Sequence, residues 1–252
     1  MPVAFLPAAA FGLLIGSFLN VVAYRLPRGE SLARPGSHCP SCDAPVAPHD
    51  NIPVLSWLLL RGRCRRCSEP IARRYPIVEA LTAALFAAVA VVHAHDTATL
   101  VLGLVLVAFL VPIALIDLDH RIIPNRLTGP AAALAIVLGT VLDPGGEAER
   151  LIAGAAAGGA LLLPSLLHPS GMGMGDAKLL GVLGLYLGRG VAPAFLVAFA
   201  AGTAIGVAIM LRVGLSAGRK TAVPFGPFLA LGGIVGLLAG DELVRAYLDT
   251  FG

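Results

Sequence analysis

Charge is what this sequence has least of. Asp, Glu, Lys and Arg make up 13% of its 252 residues, roughly half the share a soluble globular chain carries. So few charges cannot clothe a water-facing surface. The same shortage excludes a disordered chain, a collagen, a coiled coil and a nucleic-acid-binding domain. A basic segment ahead of the first apolar run is also lacking, so Val3–Val22 reads as a retained first helix rather than a cleavable signal. No glycine-rich dinucleotide fingerprint occurs, and no internal repeat is evident. What is abundant is apolar: 57% hydrophobic residues, mean hydropathy +0.86 and 30 glycines. That composition predicts a polytopic membrane protein with closely packed helices.

Eight runs are candidate spans: Val3–Val22, Ile77–Ala94, Ala98–Ile116, Leu127–Leu142, Leu151–Leu167, Ala177–Leu187, Val191–Leu211 and Phe225–Gly240. The sixth is short for a span and predicts a helix buried among others or tilted. Charge distribution tests the count. With eight spans and both termini outside, 15 of the 18 Lys and Arg face the cytosol; only Arg150, Arg189 and Arg245 do not. Dropping the sixth span weakens that bias, so the positive-inside rule favours eight. The small-xxx-small pairs, such as Gly12/Gly16, Gly154/Gly158 and Gly232/Gly236, predict tight packing within one bundle rather than a dimer face.

One inner loop, Arg25 to Tyr75, is long enough to fold by itself. It carries Cys39-Pro40-Ser41-Cys42 and Cys64-Arg65-Arg66-Cys67. Two CxxC pairs supply the four thiolates of a closed tetrahedral zinc site, and a loop this small needs such a staple. Disulfides are disfavoured in reducing cytosol. With sulfur at all four positions, the zinc is expected to be structural. His38, beside Cys39, is not needed as a fifth ligand. The loop's arginines point to the inner leaflet and to topology control, not to nucleic acid.

Acids within or beside spans are functional candidates. Asp117 and Asp119 follow the third run, in Ile116-Asp117-Leu118-Asp119. Asp176 precedes the sixth, in Gly173-Met174-Gly175-Asp176. The topology puts both sites on the inner face. Two close carboxylates share a proton, so one can take a proton from water while the other protonates a scissile carbonyl. The glycines before Asp176 would allow close approach of a substrate strand. The alternative for Asp176 is an N-cap of the sixth helix, and for Asp117 and Asp119 the capping of an interfacial turn. Glu79 is a candidate for a methylation site or for an ion pair with a loop arginine. Lys178 is a candidate for tuning nearby charge or for anchoring at the interface.

These motifs together resemble the type IV prepilin peptidases, the prepilin leader peptidase/N-methyltransferases of the GxGD membrane aspartyl protease class. The resemblance runs through Gly16-Ser17-Phe18-Leu19-Asn20, the two CxxC pairs, Asn51-Ile52-Pro53-Val54-Leu55-Ser56-Trp57 and Arg74-Tyr75-Pro76-Ile77-Val78-Glu79. It continues through Ile116-Asp117-Leu118-Asp119, Ile123-Pro124-Asn125, Gly173-Met174-Gly175-Asp176-Ala177-Lys178 and Pro224-Phe225-Gly226-Pro227-Phe228. It implies an all-α polytopic membrane protein of about eight transmembrane helices with a small cytosolic zinc-bound loop. Residues 1–76 would form the N-terminal, methyltransferase-associated part and residues 77–252 the peptidase. Asp117 and Asp176 would be the catalytic pair, preferred over Asp119, and Cys39, Cys42, Cys64 and Cys67 the metal ligands. The implied reaction is removal of the basic leader from prepilins or pseudopilins at the cytosolic face of a bacterial inner membrane. Methylation of the new N-terminus with S-adenosylmethionine would follow. Two rivals remain at this point: a transporter or channel whose carboxylates bind protons or cations, and a zinc-loop assembly factor without catalysis.

Overall fold

The computed structural model describes residues 5–167, 173–214 and 223–251. Among them are eight long helices and one short one: α1 (Phe5–Arg25), α2 (Leu55–Leu59), α3 (Arg74–Val92), α4 (Thr97–His120), α5 (Asn125–Leu142), α6 (Glu147–Leu167), α7 (Met174–Leu187), α8 (Val191–Val213) and α9 (Gly226–Phe251). The described residues form no strand, only the isolated bridges His38–Pro45 and Arg63–Pro70. Seven stretches are long and apolar enough to cross a membrane. The sixth of these, Met174–Val213, is 40 residues long and contains both α7 and α8, broken at the turn Gly188–Gly190, where Gly188 takes φ +53°. The chain is thus a multi-pass, all-helical membrane protein, with α7 the shortest of its eight long helices. Its 14 residues span about 21 Å at 1.5 Å per residue, less than a bilayer core of about 30 Å. Leu179, Leu180 and Leu183 are fully buried, so neighbouring helices cover it.

The chain divides into two compact units, Met1–Ala94 and His95–Gly252. In the first, α1 packs along α3. Glycine makes this possible: a Cβ on Gly12 would lie 2.8 Å from the Ala83 Cα, and one on Gly16 would lie 2.8 Å from the Glu79 Cα. Asn20 then spans the two helices, donating from Nδ2 to the Gly16 and Tyr75 carbonyls at 3.3 and 3.2 Å.

In the second unit α7 packs chiefly on α6, and α8 chiefly on α9. Gly158 faces Gly181, and Gly232 and Gly236 face Ala194, so these small residues pack within the bundle, as expected. Two of the three arginines that the charge pattern assigns outside are offset by acids. Arg150 pairs with Asp143 at 2.6 Å and Glu147 at 3.1 Å, and Arg189 with Asp241 at 3.2 Å. The Arg150 guanidinium holds the Asp143 carboxyl below the ordinary range.

Candidate functional site

The cysteine loop folds as two copies of one device. In the first, Cys39 N–H donates to the Ala44 carbonyl and Asp43 N–H to the Cys39 carbonyl, both at 2.9 Å. In the second, Cys64 N–H donates to Glu69 at 2.8 Å and Ser68 N–H to Cys64 at 3.0 Å. Asp43 and Ser68 both adopt left-handed backbone, at φ +55° and +60°. The sequence carries this repeat as Cys-x-x-Cys-x-x-Pro, ending at Pro45 and Pro70, the two prolines of the isolated bridges. The expectation of no internal repeat is therefore corrected at this small scale: the period lies in two turns rather than in helices.

The two turns bring Cys39, Cys42, Cys64 and Cys67 together, with all four Sγ atoms within 4.8 Å of one another and Cys39 Sγ 3.7 Å from Cys67 Sγ. Four sulfurs at about 2.3 Å from a tetrahedral ion stand about 3.8 Å apart, so the cluster could hold a metal ion. Electrostatics favour a cation there. The Ser41 and Cys42 N–H groups lower the Cys39 thiol. Those of Cys67 and Arg66 bring Cys64 down to about 6. At Cys67 the Glu69 N–H also lowers, but desolvation and the three neighbouring thiols outweigh it and push the group up to about 12. Four crowded thiols cannot all ionise unless a positive charge sits among them.

The rest of the loop is tied to this cluster and to α3. Arg65 grips Asp50 through Nε and one terminal nitrogen, at 2.7 and 2.6 Å, and so holds the Asp50 carboxyl below its usual range. Glu79, buried in α3, accepts the Val54 N–H at 2.7 Å. The acid weighed for methylation or an arginine partner thus binds loop backbone, at a valine held at φ +61°.

In the second unit, Asp117 lies within α4 rather than after it, because the helix runs on to His120 and ends with Arg121 at φ +56°. Asp117 is only 4% exposed, while Asp119 is exposed. The Asp117 carboxylate accepts the Gly226 N–H at 2.8 Å, from the first residue of α9. That partner was not recognised in the sequence. Its one signal is the match at Pro224-Phe225-Gly226-Pro227-Phe228, which carries no hint of contact with Asp117.

Asp176 is not the N-cap of α7. The helix begins earlier, with Gly173 in the cap position at extended φ and ψ and no side-chain cap bond. Asp176 therefore sits in the first helical turn, half-buried, with its N–H donating to the Gly173 carbonyl at 3.0 Å. The helices that carry the two aspartates, α4 and α7, are in contact. The intervening segment fixes this end of α7. A Cβ on Gly175 would come 2.9 Å from the Ile123 Cβ, and Lys178 Nζ donates to Asn125 Oδ1 at 3.0 Å. One glycine of the Gly173–Asp176 motif therefore serves packing against Ile123, and Lys178 ties α7 to the start of α5.

Comparison with known proteins agrees over nearly the whole chain. Residues 10–93 match the bacterial peptidase A24 N-terminal domain, and residues 104–210 match the type IV leader peptidase family. The prepilin leader peptidase/N-methyltransferase of Aeromonas hydrophila is 38% identical, with 96% of this chain and 92% of that protein aligned. The proteins of the same name from Neisseria gonorrhoeae and Pseudomonas aeruginosa are 36% and 35% identical. Those alignments cover 95% and 100% of this chain and 92% and 96% of the relatives. No solved structure matches. The helical membrane architecture, the four-cysteine cluster and these alignments agree: the chain belongs to the type IV leader peptidase family and is an enzyme, a peptidase with methyltransferase activity.

Proposed function

We propose that this protein removes the basic leader from prepilins or pseudopilins at the cytosolic face of a bacterial inner membrane and then methylates the new N-terminus. Asp117 and Asp176 are the reacting pair. One carboxylate takes a proton from the attacking water while the other protonates or hydrogen-bonds the scissile carbonyl, so no covalent intermediate is needed. The observation that carries this reading is the buried Asp117, held by the Gly226 N–H on a helix, α4, that touches α7, which carries Asp176. Burial also separates Asp117 from the exposed Asp119 two residues on.

The cytosolic assignment rests on the distribution of Lys and Arg. The metal is zinc and structural, since four sulfurs close its coordination shell. Residues 1–76 would carry the methyltransferase-associated part and residues 77–252 the peptidase. Methyl transfer from S-adenosylmethionine is supported by the relatives' names, and no residue of this chain is assigned to that cofactor. The test is incubation of the purified protein with a prepilin in detergent, with and without S-adenosylmethionine, read by mass spectrometry. Leader loss in both samples and an added methyl group only with the cofactor are expected. An intact prepilin in both would refute the proposal, and proton-coupled flux in proteoliposomes without cleavage would favour a transporter.

A further inference from the structure

The loop of the first unit has an apolar face that neither cleavage nor metal binding uses. Ile52, Leu55, Leu58 and Leu59 are 47%, 48%, 58% and 72% exposed, and all lie in or beside the five-residue α2. Outside the membrane-spanning helices, a cluster of large exposed side chains marks a contact surface.

Its level along α3 is fixed by named bonds. Glu79 accepts the Val54 N–H at the start of α2. Glu79 lies five residues into α3 from Arg74, about 7.5 Å along the axis. The exposed leucines are thereby anchored level with the first turns of a spanning helix. Helices lying in a membrane interface bury their apolar face about 5–10 Å into the boundary between headgroups and acyl chains. The segment is firmly built. Ser56 Oγ accepts the Ile52 N–H and donates to the His49 carbonyl, both at 3.0 Å. Trp57 Nε1 donates to the Ile71 carbonyl at 3.1 Å, its ring lying against Gly62. Exposed Arg61, Arg63, Arg66 and Arg73 lie in the same loop, and they complement anionic headgroups.

We propose that Ile52, Leu55, Leu58 and Leu59 insert into the leaflet from which α3 starts, making the cysteine loop a monotopic anchor on anionic phospholipid. The insertion holds the loop down on the membrane through two contacts, apolar below and basic above. It depends on the spans and not on the catalytic reading, so the two can fail separately.

The test uses fluorescence, because Trp57 is the chain's one tryptophan. The full-length protein carrying Trp57→Phe and Leu59→Trp is reconstituted in vesicles of phosphatidylglycerol and phosphatidylethanolamine. Insertion predicts blue-shifted emission, mostly lost when the lipid chains are brominated near the headgroup and little affected by iodide. Emission quenched freely by iodide and indifferent to brominated lipid would overturn the proposal. So would shielding from both quenchers, the outcome if a partner protein or a second copy covers the face. Should that variant not fold, the native Trp57 serves. Leu55→Ser with Leu58→Ser should then reduce its quenching by brominated lipid, and unchanged quenching would count against insertion.

Discussion

Gly226 and Asp117 lie 109 residues apart in sequence, yet the glycine N–H sits 2.8 Å from the aspartate Oδ2. A Cβ on Gly226 would fall 2.7 Å from that same oxygen, so only glycine lets the α9 backbone come this close. Gly226→Ala should push the Asp117 carboxyl aside. A displacement of about 1 Å can cost on the order of 10²-fold in rate. Cleavage measured under single-turnover conditions should fall by about that factor while the helical circular dichroism is retained. Wild-type turnover in the alanine variant would show that this hydrogen bond does not position Asp117.

Three aspartates should separate cleanly. Asp117→Asn and Asp176→Asn remove groups placed in proton transfer, for which losses of about 10²–10⁴-fold are typical. Asp119→Asn changes an exposed side chain and should leave leader cleavage within a few-fold of wild type. Quantitative mass spectrometry of the released leader tests all three. Loss of activity in the Asp119 variant with retention in the Asp117 variant would reverse the assignment.

The metal cluster should be acid-labile in a stated direction. Metal binding requires thiolates, and affinity falls as protons compete. Backbone N–H groups bring Cys64 down to about 6 and lower Cys39, so these two sulfurs remain available to metal to lower pH than an ordinary thiol of about 8.5. Elemental analysis should find one zinc per chain near neutral pH and progressive release as pH falls below about 6. Cys64→Ser should lose the metal more completely than a substitution elsewhere in the loop, and methylation should suffer more than cleavage. Metal-free protein purified under reducing conditions at neutral pH, with both activities intact, would contradict this.

Much of this was legible because acids are scarce. Two juxtamembrane aspartates on one predicted face stand out in a chain with 15 Asp and Glu in total. The cysteine spacing likewise announces its ligand set. What could not be read is backbone partnership. Gly226 donates through a main-chain N–H, which leaves no mark on residue type. Glu79 is satisfied by the Val54 main chain rather than by a side chain of opposite charge. The hydropathy pattern starts this helix at Ala177, three residues late, because Met174 and Gly175 look like loop although their backbone is helical. That shift turns Asp176 from a cap into a first-turn side chain. The paired Cys-x-x-Cys-x-x-Pro turns were visible but too short to register against helix-scale periodicity.

The contact between α6 and α7 offers a test of packing apart from chemistry. A Cβ on Gly184 would lie 2.6 Å from the Gly154 Cα and from the Ala153 carbonyl oxygen, all of it backbone that cannot swing aside. Interfaces of this kind depend on small residues, because lipid supplies no hydrophobic drive to hold helices together. Gly184→Leu should therefore separate α6 from α7, at a cost of about 1–3 kcal/mol or more, as for other overpacked sites. Since α7 also carries Asp176, cleavage should fall along with the midpoint of thermal unfolding in detergent. Gly206, in α8, is the control, because a Cβ there meets nothing within 4 Å. Gly206→Ala should leave both readouts near wild type. Both replacements favour helix over glycine, so equal destabilisation by the two would mean that the Gly184–Gly154 approach does not set the effect.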